Sequence, residues 1–342
     1  MYESHSVAVV VPAYNEAGLV GEVIETIPAY VDRIYAVDDR STDGTWDEIV
    51  RHAARRNGSD PDPVDGRPTS RSPRDTAADG GVESGEVVVP IRHEENRGVG
   101  GAITTGYQYA LADGIDVTAV MAGDGQMNPD HLEWLLEPIV DGTADYAKGN
   151  RLYGNDRSSM SSWRLFGNLT LSYLTKIASG YWRMMDPQNG YTAISHDALE
   201  AIDLEDRYEA YGFTNDLLVT LNTHGFRIAD VSMPAVYGEE ESHIQYRSFV
   251  PNLSALLLRR FVRRLYVRYL LTDFHPLALM YAVGVAGGMI ALAGITAAVR
   301  RRANGSSDGM TSLVLLFLSV IDLLLAMVFD RRENEEMVVT VP

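Results

Sequence analysis

Short apolar runs alternate with amphipathic stretches over the first 140 residues. The runs at 7–11, 34–37, 87–91 and 117–121 have the length and composition of buried strands. The stretches at 19–30, 45–57 and 100–113 carry apolar residues at helical spacing. Asn128 before Pro129 predicts the start of another helix, because Asn caps free N–H groups and Pro suits the first helical position. This alternation predicts an α/β fold with a mostly parallel sheet and helices on both faces.

The C-terminal part of the chain has a different pattern. Residues 277–299 include no charged residue, and in residues 310–329 the only charged one is Asp322. Each run is long enough to cross a hydrocarbon core of ~30 Å as a helix. Two buried helices of a soluble core are the alternative. We expect a transmembrane helical hairpin at 275–332, and therefore a multi-pass membrane protein.

The segment before the hairpin interleaves basic and apolar residues. Eight arginines and one acid lie between Arg259 and Arg302, whereas the whole chain carries a net charge of -18. This contrast predicts amphipathic helices at the lipid headgroups within 236–274, and it argues against nucleic acid as a partner. Arginines at both outer ends of the hairpin favour a cytoplasmic catalytic domain, although Arg300–Arg302 in the connecting loop oppose that orientation.

The amino-acid composition excludes some kinds of metal site and nucleophile. The chain has no cysteine, which excludes thiolate metal sites and cysteine nucleophiles. An acid excess with only two lysines is typical of proteins from salt-loving archaea. Residues 57–86 are rich in Pro, Gly, Ser and Asp and have no apolar periodicity, so we expect a disordered insertion in a catalytic domain that spans 1–235.

Polar clusters follow three of the predicted strands. "PAYNE" follows the first, "DDRSTDGT" the second and "GDGQ" the fourth. Ligands of open α/β sheets bind at the carboxyl ends of the strands. Asp38 and Asp39 are suited to a nucleoside, since carboxylates accept hydrogen bonds from a base or a ribose. Asp124 is suited to a divalent cation that bridges nucleotide phosphates, because Mg²⁺ sites combine one or two carboxylates with phosphate oxygens and water.

These motifs resemble a known family. "VPAYNE", "VDDRSTDGT", "NRGVGGA" and "GDGQMNPD", in this order and spacing, are similar to the family 2 glycosyltransferases of GT-A fold. More narrowly, they resemble the branch that makes dolichyl-phosphate mannose or glucose. The resemblance continues through "KGNR", "DPQNGYTAIS" and "YGEEESHIQYRSF" to the hairpin.

The resemblance implies a set of site residues. Asp124 and Gln126 would bind Mg²⁺ or Mn²⁺, and Gln188 and Asn189 in "DPQNGY" would face the acceptor, although Asn-Gly could also mark only a turn. The following residues would line the nucleotide site: Pro12, Ala13, Tyr14, Glu16, Asp38, Asp39 and Gly123.

Some positions depart from the family pattern. Ala122 stands where the family commonly has a first metal-binding Asp. Val99 replaces a lysine between two glycines, and His243 replaces the lysine that usually follows a serine. The metal would therefore have one fewer carboxylate, and the phosphates would have fewer cations.

Family members invert the anomeric carbon, and the acceptor then decides the catalytic group. A sugar hydroxyl needs a general base, for which Asp216 is the candidate. A lipid phosphate needs cations instead, and Arg151 and Arg247 are the candidates. A surface ion pair is an equally simple role for Arg151.

We expect an inverting hexosyltransferase that uses a UDP- or GDP-sugar and dolichyl phosphate at the cytoplasmic membrane face, for N-glycan or other surface-glycan assembly. The alternatives are a membrane-tethered nucleotide-sugar-binding protein without catalysis, or a transferase that acts on a sugar hydroxyl of a lipid-linked glycan. A processive synthase is disfavoured because the chain lacks Gln-x-x-Arg-Trp, and a nucleotidyltransferase because "PAYNE" replaces a basic Gly-rich loop.

Overall fold

A computed structural model describes residues 1–58, 86–151, 162–234, 246–302 and 309–341, with the side chains at 162–169, 246–249 and 301–302 left out. One eight-stranded sheet organises the described chain, in the order β3-β2-β1-β4-β6-β5-β7-β8. Within it, β6 runs antiparallel to β4 and β5, and the other neighbouring pairs are parallel. The strands are β1 (Val7–Ala13), β2 (Arg33–Asp38), β3 (Val88–Arg92), β4 (Val117–Val120), β5 (Tyr146–Asn150), β6 (Thr192–Ser195), β7 (Ile228–Ser232) and β8 (Val338–Val341).

Helices cover the sheet and continue beyond it. A short 3-10 turn, Pro129–His131, precedes α4, and the Asn128 side chain accepts the Asp130 N–H at its start, as the sequence predicts. A π-helical turn, Val267–Thr272, follows α8. The helices are α1 (Val20–Thr26), α2 (Thr45–Asn57), α3 (Val99–Ala112), α4 (Leu132–Val140), α5 (Ser162–Ser179), α6 (His196–Ala201), α7 (Phe213–Thr223), α8 (Tyr246–Tyr266), α9 (Leu277–Arg302) and α10 (Gly309–Glu333).

The sheet has a hydrophobic core on each face. Successive side chains of a strand point to opposite faces, so Val9 and Val11 of β1 pack with α1, α2 and α4. Ala8 and Val10 pack on the other side with α3, α6 and α7. All six of these helices bury apolar residues in one of the two cores. This arrangement confirms the predicted α/β fold.

The predicted insertion at 57–86 lies outside the described residues except at its two ends. Asn57 is the last residue of α2, and its Oδ1 accepts the backbone N–H groups of Val87 and Val88 at 3.0 and 2.9 Å. Its Nδ2 donates to the Val88 carbonyl at 2.8 Å. Asn57 therefore belongs to the folded domain and fixes the start of β3.

Helices α9 and α10 are long and apolar enough to cross a membrane: 18-residue windows within Leu277–Arg300 and Gly309–Glu333 have mean hydropathies of 2.0 and 2.7. They pack closely against each other. A Cβ on Gly287 would lie 2.5 Å from Ser319 Oγ, and one on Gly284 would lie 2.7 Å from Leu323 Cγ. Small residues let membrane helices approach in this way.

The chain returns to the sheet after α10. Strand β8 pairs in parallel with β7 and forms one edge of the sheet. Val338 of β8 is buried in the core beside α3, α6 and α7. Residues beyond the predicted hairpin thus complete the sheet, which the sequence interpretation did not foresee.

Candidate functional site

The Asp124 turn is fixed at the carboxyl edge of the sheet. Beyond β4, the Met121 and Gly123 N–H groups still donate to the Val10 and Pro12 carbonyls, each at 3.0 Å. The chain then turns at Gly125, whose φ is +71°, and Asp124 Oδ1 accepts the Gln126 N–H at 2.9 Å. Asp124 is therefore delivered to the strand end that the motif predicts.

A pocket of about 250 Å³ opens beside this turn. It brings together five of the predicted site residues: Asp124, Gln126, Arg151, Gln188 and Asn189. They come from the ends of two strands and from the segment before β6. The remaining lining residues are Val99, Ile103, Met127, Asn128, His131, Gly190, Tyr191, Tyr211, Phe213, Thr214, Met233 and Pro234.

Among the described residues that line the pocket, Arg151 is the cation. The Asp186 carboxylate holds its guanidinium in place. Its Nε donates to Asp186 Oδ2 at 2.8 Å, and its Nη2 donates to Asp186 Oδ1 at 3.4 Å. The Arg151 side chain is 44% exposed, whereas that of Asp186 is 9% exposed. Burial raises the pKa of Asp186, but Lys148 and Arg151 outweigh it and hold this pKa below its ordinary value. The pair thus presents an oriented positive group to the pocket.

The segment after Asp186 forms a compact turn. The Asn189 N–H donates to the Asp186 carbonyl at 3.2 Å, and the Asn189 side chain accepts the Tyr191 N–H at 3.0 Å. The Tyr191 hydroxyl donates to the Asn128 carbonyl at 3.0 Å, which ties the turn to the segment that follows Asp124. Gln188 and Asn189 consequently reach the same pocket as the predicted metal ligands.

The predicted nucleotide residues share the adjacent part of the sheet edge. Ala13 and Asp38 are register partners at the ends of β1 and β2, and the Asp39 N–H donates to the Ala13 carbonyl at 2.9 Å. Gly123 is linked to Pro12 by the hydrogen bond given above. Tyr14 is 47% exposed and Glu16 is half-buried. These residues lie beside the described pocket rather than in its lining.

Protein groups already engage both carboxylates of the acidic pair. Asp38 is buried, with Arg92 Nε 3.0 Å from its Oδ2. Asp39 Oδ1 contacts His93 Nδ1 at 2.7 Å and accepts the Arg97 N–H at 2.8 Å. Its Oδ2 accepts the Gly98 N–H at 2.7 Å. The Asp39 carboxylate thus holds the 93–98 loop, and direct contact of either carboxylate with a nucleoside stays a prediction.

Asp216 is placed differently from what a general base requires. Its side chain is 0% exposed, does not line the pocket, and forms ion pairs with Arg207 and Arg260. It also accepts the Tyr208 N–H at 3.1 Å. A base must reach the proton that it removes, and this carboxylate is enclosed by two guanidinium groups. The contacts of Asp216 anchor α7 to α8, and its expected role as a general base stays a prediction that this enclosure disfavours.

Several pocket residues were missed, and one predicted residue is not described. Tyr211, Phe213 and Thr214 line the pocket from a segment without a recognisable motif, whereas His131 directly follows "GDGQMNPD". Met233 could have been found, because it follows β7 at the same edge of the sheet. The side chain of Arg247, the second predicted phosphate-binding cation, lies outside the described residues.

The donor set at the Asp124 turn fits a hard divalent cation only in part. Asp124 and the Gln126 amide offer oxygen ligands toward the pocket, and Ala122 offers none. In the described ranges, no group of three or more His, Cys, Asp or Glu side chains is arranged so that it could hold a metal ion. Burial raises the pKa of Asp124, against the opposing effects of the Gln126 N–H and Arg151. Such a site needs oxygens from the substrate, as Mg²⁺ sites on phosphates commonly do.

Comparison with known proteins finds relatives that match about two thirds of this chain. The chain is 27% identical over 232 residues to UDP-N-acetylglucosamine–dolichyl-phosphate N-acetylglucosaminyltransferase of Methanococcus voltae, which covers 67% of this chain and 85% of that protein. It is 29% identical over 248 residues to polyprenol monophosphomannose synthase of Mycolicibacterium smegmatis, which covers 68% of this chain and 77% of that protein.

A solved structure shares the fold. Glucosyl-3-phosphoglycerate synthase from Mycobacterium tuberculosis, in complex with Mn²⁺, UDP and phosphoglyceric acid, superposes with a TM-score of 0.51 at 19% identity. The match covers 75% of this chain and 79% of that one. The sequence pattern of "Glycosyl transferase family 2" matches residues 8–63 and 67–203, more than half of the chain. With the strand-end motifs and the sheet topology, this match shows that the chain belongs to glycosyl transferase family 2.

Proposed function

We propose that this glycosyltransferase moves a hexose from a UDP- or GDP-sugar onto a polyprenyl phosphate such as dolichyl phosphate, with inversion at the anomeric carbon. One observation carries the proposal: the pocket that contains Asp124 also contains Arg151, a guanidinium oriented by a buried carboxylate. A site of this kind can receive two phosphate-bearing ligands, one on each side of the transferred sugar.

The donor side is the edge formed by the ends of β1 and β2. Tyr14 and Glu16 are accessible there, and the Asp124 turn adjoins them through Gly123. Asp124 and Gln126 would hold Mg²⁺ or Mn²⁺, which, when bound, neutralises charge on the diphosphate leaving group. The Mn²⁺ and UDP in the structural relative support a divalent cation in this fold.

The acceptor side is the wall formed by Arg151, Gln188 and Asn189. Arginine suits phosphate oxygens because its planar guanidinium donates two parallel hydrogen bonds. An acceptor phosphate oxygen would attack C1 of the sugar as the bond from C1 to the diphosphate oxygen breaks. The bond electrons leave with the diphosphate, and no proton has to be removed from the nucleophile. The described residues that line the pocket include one carboxylate, Asp124, which the proposed metal would occupy. An acceptor that needs no carboxylate as a general base therefore matches the available groups.

The acceptors in the relatives' names support this choice. The Methanococcus voltae enzyme is named for dolichyl phosphate and UDP-N-acetylglucosamine, and "Undecaprenyl-phosphate mannosyltransferase" of Micrococcus luteus is 29% identical over 247 residues. A polyprenyl phosphate is the chemistry these names share, whereas the sugars differ.

We infer that α9 and α10 cross the membrane as a hairpin. The α8 helix enters the hairpin from the catalytic domain, and β8 leaves it to pair with β7 of the same domain. Both outer ends therefore lie on the catalytic side. Arg259, Arg263, Arg331 and Arg332 are exposed near these ends and favour the cytoplasmic face. The catalytic domain would then lie at the cytoplasmic membrane face, where a lipid phosphate presents its charge.

The test is a donor panel with membranes that contain the full chain. UDP- and GDP-sugars are supplied with dolichyl phosphate, and the product lipid is identified by mass spectrometry. We expect one lipid-linked hexose, strongly reduced in Arg151→Ala. Sugar-nucleotide binding without any product would favour a binding protein. Transfer to a soluble sugar hydroxyl, with lipid phosphate ignored, would favour the sugar-hydroxyl alternative.

A further inference from the structure

Lysine is rare in this chain, and one of its lysines is completely buried. The sequence has 27 arginines and two lysines, Lys148 and Lys176. Lys148 lies in β5 with 0% exposure, next to strand residues that enter the core. A buried ammonium is costly unless protein groups replace its water. The groups around Lys148 therefore indicate what it does.

The sheet register places Lys148 opposite an acid. Lys148 and Asp230 are partners on the parallel strands β5 and β7, and Asp230 is 1% exposed. Tyr146 and Ile228, two residues earlier on each strand, are buried in the core beside α3, α6 and α7. Because alternate residues share a face, Lys148 and Asp230 follow them on that face, nearer the carboxyl ends of the strands.

This pair holds two successive residues of the segment that leads into the pocket. Asp230 Oδ2 accepts the Met185 N–H at 3.0 Å, and Lys148 Nζ donates to the Asp186 carbonyl. Asp186 has a φ of +41°, in the left-handed region that non-glycine residues seldom adopt. A conformation of this kind persists when surrounding contacts fix it.

The constrained residue is also the one that orients Arg151. With its carbonyl turned toward Lys148, Asp186 directs its carboxylate to Arg151 Nε at 2.8 Å and to the Arg151 N–H at 3.4 Å. The contacts form a continuous series from Lys148 to the Asp186 backbone, then to the Asp186 carboxylate, and then to the guanidinium in the pocket. Lys148 itself does not line the pocket.

We propose that Lys148 is a positioning residue for the acceptor phosphate: it fixes Asp186, and through Asp186 it orients Arg151. This inference rests on the proposed function, since it assigns the role in terms of an anionic acceptor. Lysine suits the position because a compact ammonium at the end of a flexible chain reaches a carbonyl where a planar guanidinium needs more space. Burial lowers the pKa of Lys148 to about 8, and burial raises the pKa of Asp230 to about 6, as expected for an enclosed pair.

The experiment compares Lys148→Met with Lys176→Met in the full chain. Lys176 is the matched control: it is half-buried, and its Nζ contacts the Met185 sulfur at 3.6 Å instead of a backbone carbonyl. The KM for a short-chain dolichyl phosphate in micelles and the KM for the sugar nucleotide are measured for both. We expect Lys148→Met to raise the acceptor KM roughly tenfold to hundredfold, the range for loss of a hydrogen bond to a charged group, with little change in the donor KM.

A second variant separates positioning from charge balance. Lys148→Met leaves Asp230 without its cross-strand cation, so Lys148→Met/Asp230→Asn removes the remaining charge while an amide oxygen can still accept the Met185 N–H. We expect this variant to recover thermal stability but to keep the raised acceptor KM. Recovery of the acceptor KM, or equal acceptor KM values in the two single variants, would overturn the role of Lys148. Absence of transfer to dolichyl phosphate by the parent protein would instead refute the proposed function.

Discussion

Arg264 of α8 and Asp330 near the end of α10 form an ion pair in which both side chains are 0% exposed. The two contacts are Nη2 to Oδ2 at 2.9 Å and Nη1 to Oδ1 at 3.1 Å. The same carboxylate accepts from Trp182 Nε1 at 3.1 Å and from the Tyr269 hydroxyl at 2.9 Å. Asp330 thus joins the second apolar helix both to α8 and to the catalytic domain.

This pair predicts that Asp330→Ala will be strongly destabilising. Removing one partner of a buried ion pair leaves the other charge unpaired, which typically costs about 3–5 kcal/mol. We expect a loss of that size in the free energy of unfolding, measured by chemical denaturation of the purified protein in detergent. Arg263→Ala is the control, because Arg263 pairs with Asp206 at 2.8 Å on the exposed side of the same helix and should contribute ~1 kcal/mol or less. Equal losses in the two variants would contradict the pairing.

The metal prediction concerns Asp124. We expect Asp124→Asn to abolish transfer while the thermal unfolding midpoint changes little, because the amide oxygen can still accept the Gln126 N–H but loses the charge that a cation requires. Excess chelator should inactivate the parent protein in the same way. Asp130→Asn, at an exposed position that does not line the pocket, is the control. Full activity of the parent in chelator would remove the metal from the mechanism.

Asp216 provides a test between the two acceptor classes. Because Arg207 and Arg260 enclose its carboxylate, we expect Asp216→Asn to lower stability without changing the shape of the pH–rate profile. The profile is measured with dolichyl phosphate at a temperature well below unfolding. If Asp216 were the general base for a sugar hydroxyl, the variant would lose the limb of the profile on which activity rises with pH.

The insertion can be shortened at positions that the structure defines. We expect replacement of residues 59–85 by a short Gly/Ser linker to leave activity near the parent level, since their composition favours no packed core. Asn57 and Glu86 must be retained, because Asn57 holds the start of β3 and the Glu86 carbonyl accepts from Arg33. Activity and sugar-nucleotide affinity are the measurements. A tenfold loss of nucleotide affinity would place this segment in the donor site.

The strands and the Asp124 turn could be predicted because both depend on local sequence. Apolar runs of four or five residues specify buried strands, and a Gly-Asp-Gly turn after such a run places Asp124 at the sheet edge. Strand β8 could not be predicted in this way, since four residues after a long apolar helix carry little pattern and pair with a strand about a hundred residues earlier.

The partners of charged residues also could not be predicted from local sequence. The basic stretch before the hairpin predicts arginines at the lipid headgroups, and Arg259 and Arg263 are exposed, as that role requires. Arg260 and Arg264 are instead buried against acids of the catalytic domain and of α10. A protein truncated near Asp273 would therefore lose β8 and leave Arg264 unpaired. Weak transfer by such a truncation would report damage to the fold as well as loss of the membrane anchor.

Lys148 predicts a pH dependence with a defined sign. Its pKa of about 8 lies below the value of about 10.4 for an unfolded lysine. The groups that face it are Asp186, Asp230 and Arg151, with Lys176 beyond Asp230. As the pH rises through 8, Lys148 loses its charge, and its hold on the Asp186 carbonyl weakens. We expect kcat/KM for the acceptor to fall over this range in the parent protein and to be flat in Lys148→Met.

Loss of stability through the titration of Lys148 cannot account for that decrease in kcat/KM. Between pH 8 and about 10.4 the unfolded chain binds more protons at this lysine than the folded chain, so its contribution to stability rises with pH. The acceptor does not lose charge either, since a phosphate monoester has its second pKa near 6. Measuring kcat/KM and the free energy of unfolding from pH 6.5 to 9.5 therefore separates the two effects. A decrease that persists unchanged in Lys148→Met would assign the titration to another group.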